Sequence, residues 1–370
     1  MRVVLAAVLV IHGAIHLMGV AKAFGLAELP QLKQPISTPM GAVWGVAALL
    51  FLATAFGLYI WPRWWWAVAA AAVVVSTVAI VPSWSDAKVG AAANAAIALA
   101  AAVAFLLTGP TSQRAAYERD ARAALAATAG GTGAAVTDDD LAALPAPVQR
   151  FLRVSGVVGH PRVIRFRARM HGRIRSGPDA GWMPIVAEQT NTVNPPVRLF
   201  YLDARMLGIP ASGYHRFADG HATMAVKALG LVPVARDGGA AMTRSETVTF
   251  LNDLCLMAPA GLLTPAIRWE AVDDHRARAT LTLGAHTVSG MLVFGADGGL
   301  ADFWSDDRGR ALPDGTVATG QRWSTPISSH RAFGPFTLTA RGEARYAAEA
   351  GAYAYIELEF DDITYDLTPP

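Results

Sequence analysis

The chain has 370 residues, enough for two or three structural units, and a formal net charge of +2. Residues 1–110 hold only seven of its 60 charged side chains: Arg2, Lys22, Glu28, Lys33, Arg63, Asp86 and Lys88. A water-soluble fold with so few charges would expose more apolar surface than water tolerates, so a bilayer is the expected solvent for this half.

Four segments are apolar over about the 20 residues that a membrane span requires: Val3–Val20, Met40–Trp61, Trp64–Val81 and Val89–Leu107. None contains Asp, Glu, Lys or Arg, and Trp61, Trp64, Trp65, Trp66 and Trp84 sit at segment ends, where indoles favour the headgroup region. The fourth is dominated by alanine and also reads as a buried helix. The first, followed by Ala21-Lys22-Ala23, also reads as a signal peptide. Four spans would return the chain to its starting side. That side would carry Arg2, Arg63, Arg114, Arg119 and Arg122, which predicts an inner (plasma) membrane protein, multi-pass, with both termini and the soluble domain cytoplasmic.

His12 and His16 are four residues apart and share one helix face. The topology places His16, Lys22, Asp86, Lys88 and Asn94 towards one surface. Such a cluster is compatible with metal binding, proton relay or headgroup binding, and equally with hydrogen bonding between helices. Two histidines without a third ligand do not define a metal site, so no metal or cofactor is expected.

After Pro110 the chain turns polar. Residues 111–136 read as a juxtamembrane helix, Gln113 to Ala127, followed by the flexible joint Gly130-Gly131-Thr132-Gly133. Thr137 before Asp138, Asp139 and Asp140 marks a helix start. That helix runs to Arg153, with a break at Pro145 to Pro147. The remainder of 137–370 changes to a period of two. Ile164, Phe166, Ala168, Met170, Gly172 and Ile174 alternate with Arg165, Arg167, Arg169, His171, Arg173 and Arg175. This predicts a half-buried strand with a cationic face, turned either to water or to anionic headgroups. Further strands are expected at 185–193, 197–206, 213–217, 221–232, 267–272, 277–283, 287–294, 300–304 and 353–365. Asp219-Gly220 forms a hairpin turn, and a helix spans Arg244 to Leu256. The absence of a helix after most strands argues for a largely antiparallel sheet.

Residues 111–370 carry a net charge of −1 and lack the basic footprint that phosphate neutralisation needs, so nucleic acid is not an expected partner. The single cysteine, Cys255, excludes an intramolecular disulfide and lies on an apolar helix face, where an inert thiol is the rule. There is no P-loop, paired-histidine zinc motif or G-x-S-x-G elbow. Asp273-Asp274-His275 and Asp306-Asp307-Arg308 read as solvated turns. Glu188 and Gln189 interrupt an apolar strand, facing either a cavity or water.

Several blocks together resemble a bacterial family of membrane proteins catalogued only as a domain of unknown function. They include His12-Gly13-Ala14-Ile15-His16, Gln34-Pro35-Ile36-Ser37, Trp84-Ser85-Asp86-Ala87-Lys88 with Asn94, Leu144-Pro145-Ala146-Pro147, Trp182-Met183-Pro184 with Gln189, Trp269-Glu270, and Arg322-Trp323-Ser324-Thr325-Pro326. The chain departs from that pattern at Leu254 to Pro259, where the family's helix carries a tryptophan and more acid. At the level of fold, the soluble half is similar to the half-open barrels of bacterial lipoprotein carriers.

The expected architecture is therefore a membrane α-helical bundle of four spans (1–110), followed by an α+β domain dominated by a curved, largely antiparallel sheet (137–370). The leading functional expectation is a membrane-tethered binding module, rather than an enzyme, for an apolar or lipid-like ligand lined by Trp182, Phe200, Trp269, Phe303 and Trp323, with membrane lipids as partners. The alternatives are a membrane enzyme or transporter component using His12, His16 and Asp86, and a protein-interaction or assembly domain.

Overall fold

In the computed structural model, residues 2–128, 131, 133–311, 317–348 and 351–365 are described. The chain divides into two compact units, Met1–Ala115 and Ala116–Pro370. Four helices build the first: α1 (Arg2–Ala23), α2 (Thr38–Ile60, with Pro39 in its first turn), α3 (Trp65–Ile80) and α4 (Trp84–Thr108). Small residues let them approach closely. A Cβ on Gly19 of α1 would lie 2.2 Å from the Trp44 ring of α2, and one on Gly41 would lie 2.3 Å from Ala23.

Three helical stretches, not the expected four, are long and apolar enough to cross a membrane: Arg2–Ala23, Thr38–Ile60 and the run Trp65–Ala127. The reason lies in α3. Its 16 residues extend about 24 Å, short of the ~30 Å hydrocarbon core, and one 3-10 turn at Val81–Ser83 joins it directly to α4. The chain reverses at that turn, because Asn94 Nδ2 donates to Thr77 Oγ1 at 3.2 Å across only 17 residues.

The second unit begins with α5 (Gln113–Ala127), which overlaps the boundary. Gly130 and Thr132 of the expected joint lie outside the described residues. Helices α6 (Asp138–Leu141) and α7 (Ala146–Val154) follow, split at the proline pair as expected. At α6, Thr137 and Asp140 form a reciprocal capping box that satisfies two otherwise orphaned amides.

The sheet consists of β1 (Arg165–Ile174), β2 (Met183–Thr192), β3 (Val197–Met206), β4 (Ile209–Ala218), β5 (His221–Ala228), β6 (Val232–Gly238), β7 (Ile267–Asp273), β8 (Arg276–Leu283), β9 (His286–Phe294) and β10 (Leu300–Ser305). Short β11 (Arg310–Ala311), β12 (Val317–Ala318) and β13 (Trp323–Ser324) precede β14 (Ile327–Phe333), β15 (Phe336–Tyr346) and β16 (Tyr353–Tyr365). Every described pairing of these strands is antiparallel. Apart from the separate β11–β12 pair, they form one sheet in the order 6-5-4-3-2-1-16-15-13-10-9-8-7, with β14 on β15.

Helix α8 (Gly239–Met257) connects β6 to β7 and packs against β5 and β6 on one side and β8, β9, β10 and β15 on the other. The sheet therefore curls around it as a half-barrel. The concave side holds the main core, including Phe166, Met170, Leu251, Leu254, Leu292 and Phe303. On the convex side, the second-unit part of α5 lays Tyr117 and Ala121 against Leu199, Tyr201 and Tyr214.

The cationic face of β1 lies between acidic neighbours. Arg173 reaches Glu357 of β16 at 2.8 Å, His171 lies 2.7 Å from Asp361, and Arg169 lies 3.5 Å from Asp362. Arg167 pairs with Glu188 of β2 at 3.5 Å. Arg165 departs from the face, being buried and donating to the Thr128 carbonyl. These cross-strand pairs neutralise the row of cations.

Candidate functional site

The concavity of the half-barrel contains a cavity of about 150 Å³. Strands β1, β2, β3, β4, β14, β15 and β16 line it together with α8, Arg308, Trp323 and Thr325. Its lining has two chemistries. One part is apolar, with Met170, Ile174, Leu202, Ile356, Leu358 and Phe360; the other is a cluster of buried charges.

Strand parity and helix periodicity assemble that cluster. Residues of β2 and β3 that share a face with the inward Ala187 and Phe200 include Gln189, Asn191 and Arg198. On α8, Glu246 and Asp253 are seven residues apart, two helical turns, and so project from one side. Arg198 Nε donates to Asp253 Oδ2 at 2.7 Å, Nη1 to Glu246 Oε2 at 2.8 Å, and Nη2 to Gln189 Oε1 at 3.4 Å. Gln189 and Asn191 add amide donors to the same Asp253 oxygen at 2.6 and 3.2 Å. His215 Nδ1 lies 3.5 Å from Glu246 Oε1.

The side chains of Arg198, Glu246 and Asp253 are 8%, 1% and 6% exposed, so this is a desolvated triad. Burial alone would raise the Glu246 carboxyl, but the Arg198 charge and the His215 hydrogen bond outweigh it and hold the group at about 2. Asp253 moves the other way: burial prevails over Arg198 and pushes it above the usual carboxylate range.

Of the aromatics expected to line a ligand site, Phe200 and Trp323 border the cavity. Phe303 is fully buried behind Trp323, with ring centroids 6.2 Å apart. Trp182 lies outside the lining, its ring 4.5 Å from the guanidinium carbons of both Arg173 and Arg175. Trp269 is on β7, the terminal strand of the sheet, and also outside the lining. The Glu188-Gln189 pair divides: Gln189 faces the cavity, whereas Glu188 pairs with Arg167.

Asp306-Asp307-Arg308 is only partly the solvated turn expected. Asp307 accepts from Ser289 N at 2.7 Å, and Arg308 turns into the cavity lining. Asp273-Asp274-His275 is a turn, closed by His275 N donating to Asp273 at 2.9 Å. Cys255 is buried, donates to the Leu251 carbonyl at 3.2 Å, and has its thiol pushed up by burial.

The helical unit brings together His12, His16 and Asn94, and joins Ser76 and Thr77 to them. His12 Nε2 lies 2.9 Å from Asn94 Oδ1, and His16 Nε2 lies 2.8 Å from Ser76 Oγ. His16 Nδ1 donates to the His12 carbonyl at 2.9 Å, and Ser76 lies 3.0 Å from Asn94 Oδ1. Asp86 is engaged elsewhere, accepting from the Gln34 amide at 2.7 Å. Lys22 donates to the Leu32 carbonyl, and Lys88 is exposed. Among the described residues no group of three or more His, Cys, Asp or Glu is arranged to hold a metal.

Two solved structures are similar to the chain. One is a domain named for outer membrane lipoprotein sorting from Vibrio parahaemolyticus, with 8% identity, covering 55% of this chain and 85% of that one, at a TM-score of 0.33. The other is a DUF1329 family protein from Desulfovibrio piger, with 9% identity, covering 60% of this chain and 94% of that one, at a TM-score of 0.36. No curated protein matches the sequence. Residues 134–358 match the profile of a family of unknown function, a region that includes the curled sheet except for the second half of β16, together with α8 and the buried triad; the chain belongs to that family, DUF6544.

Proposed function

We propose that the half-barrel is a binding module for an apolar, lipid-like ligand, held in the cavity between the sheet and α8 and tethered to a membrane by the apolar helices. The observation that carries this reading is the cavity itself, a space bordered by Met170, Leu202, Leu358 and Phe360 inside an otherwise close-packed core. Protein interiors normally fill such space, because each lost packing contact costs stability. A cavity with an apolar wall is therefore the feature of this fold best suited to an apolar ligand.

The tether rests on Ile11, Leu49, Val74 and Leu99, one from each helix, all more than half exposed. An outward apolar surface of this kind is stable against acyl chains and costly in water. Two of the expected aromatics, Phe200 and Trp323, would contact the ligand. Trp182, Trp269 and Phe303 would act only through the residues they pack against.

Photocrosslinking tests the reading directly. The full chain in membranes doped with a diazirine-bearing fatty acyl lipid should yield adducts on the peptides carrying Leu202, Ile327 and Leu358. Adducts confined to residues 1–110 would contradict it.

A further inference from the structure

Buried cations in proteins are normally matched by anions, because an unpaired charge pays desolvation without recovering it. Around this cavity the matching is incomplete at one residue. Arg198 is saturated by Asp253, Glu246 and Gln189. Glu343, the third carboxylate on the lining, is bonded to Arg345 at 2.7 Å. Arg308 has only neutral hydrogen-bond partners, and Glu246 acts on it at longer range: Nε donates to Thr249 Oγ1 at 3.1 Å, and Nη1 donates to the Tyr346 hydroxyl. Its guanidinium sits 4.6 Å from the Trp323 ring centroid, which fixes the plane of the fork against the cavity wall. Among the described residues no carboxylate oxygen lies within 4.0 Å of it, and Nη2 has no hydrogen-bond partner.

We propose that Arg308 is the headgroup site of the cavity, binding the carboxylate of a single-chain, fatty-acid-type amphiphile whose chain runs along Met170, Leu202, Leu358 and Phe360. The inference rests on the apolar-ligand reading above and specifies its ligand class. A carboxylate supplies the one missing charge and accepts from the one open nitrogen in a charge-assisted hydrogen bond, the stronger kind. Arginine suits the position better than lysine, because its rigid fork serves Thr249, Tyr346 and the ligand at once. The balance of the lining supports an anion. The lining carries two arginines, and of these only Arg198 is bonded to carboxylates.

The test uses the full chain in lipid-free amphipol and two probes of equal chain length, laurate and lauryl alcohol, with binding read by equilibrium dialysis. The wild type should prefer laurate by about tenfold or more, the worth of one hydrogen bond to a charged group. Arg308→Met should bind both probes with the alcohol's affinity, which also reports that the cavity is still folded. Arg308→Lys should retain part of the preference. Equal affinity for the two probes in the wild type, or a laurate preference that survives in Arg308→Met, overturns the headgroup site while leaving the cavity reading intact. Failure of both probes to bind the wild type, or undiminished binding by the cavity-filling Ala344→Phe, removes the cavity reading and the headgroup site with it.

Discussion

Arg198 is the residue on which the interior of the half-barrel depends. It is the shared partner of Glu246 and Asp253, and no other cation lies within 4.0 Å of Asp253 among the described residues. Removing one member of a buried ion cluster leaves an uncompensated charge, so Arg198→Met is expected to cost about 3–5 kcal/mol. Thermal unfolding of the full chain in detergent, followed by near-ultraviolet circular dichroism, would measure it; a loss below about 1 kcal/mol would mean the triad is solvated in solution.

Asp302 on β10 offers a test of opposite sign. Burial, opposed by backbone donors from Phe303 and Thr325, raises its carboxyl to about 6, and Oδ1 is buried without a partner. A carboxyl raised in the folded state favours folding below its ordinary value of about 4 and loses that contribution as pH climbs through 6. Asp302→Asn should therefore raise the melting temperature at pH 8 and have much less effect at pH 4. An effect equal at both pH values would show that Asp302 titrates normally.

The residues of this site were only partly legible in the sequence. Gln189 is legible as a polar interruption of an apolar strand, though not which way it faces; the structure turns it to the cavity. Arg198 shares parity with Phe200, but a lone arginine on a strand usually faces water, so the sequence alone does not mark it. Arg308 was hidden in a run of three charged residues, of which Asp306 pairs with Arg322 at the surface and Asp307 accepts from Ser289. Glu246 and Asp253 were the readable signal: two acids seven residues apart in a helix whose one other charged residue is Arg244.

At the scale of elements, three hairpins of the meander show what local sequence conveys. The turns after β3, β4 and β5 are Leu207-Gly208, Asp219-Gly220 and Leu229-Gly230, and all six residues have positive φ. Asp-Gly is the favoured pair for this geometry and announces its turn. Leucine pays the left-handed penalty, so the other two turns carry no such announcement. The expected strand 221–232 consequently runs through the Leu229-Gly230 turn, and β6 beyond Val232 has no counterpart among the expected strands. Leu207→Asn should stabilise the chain by about 1 kcal/mol, since the strain of a left-handed leucine is of that size and Leu207 is 97% exposed. Denaturant midpoints would measure the gain, and no gain would mean the turn relaxes in solution.

Strand β14 was invisible for a different reason. Ile327–Phe333 is polar along most of its length, whereas β15 does alternate, with Phe336, Leu338, Ala340, Ala344 and Tyr346 on its buried parity, and was a readable strand. In the helical unit, composition located every helix but overcounted the stretches long enough to span a membrane, because length is not visible where α3 passes through Val81–Ser83 into α4. Gly19→Leu should separate α1 from α2, since even a Cβ there would meet the Trp44 ring at 2.2 Å. Reduced yield and a lower melting temperature in detergent would follow, and wild-type behaviour would contradict the packing.

For the whole molecule, the division into an apolar helical part and a charged β-rich part was written in the distribution of charge, and antiparallel pairing followed from the lack of crossover helices. The interior position of α8 was not legible, because it depends on how far the sheet curls, a property of β1, β15 and β16 acting together. The cavity is a consequence of that curl. The measurement that tests its role most directly is native mass spectrometry of the full chain released from its own membranes, with the bound molecules extracted and identified. The account predicts one apolar or acyl-chain molecule per wild-type chain, retained under conditions that strip bulk lipid and absent from Ala344→Phe. A wild-type chain that emerges empty, or a filled-cavity variant that retains the same molecule, would contradict it.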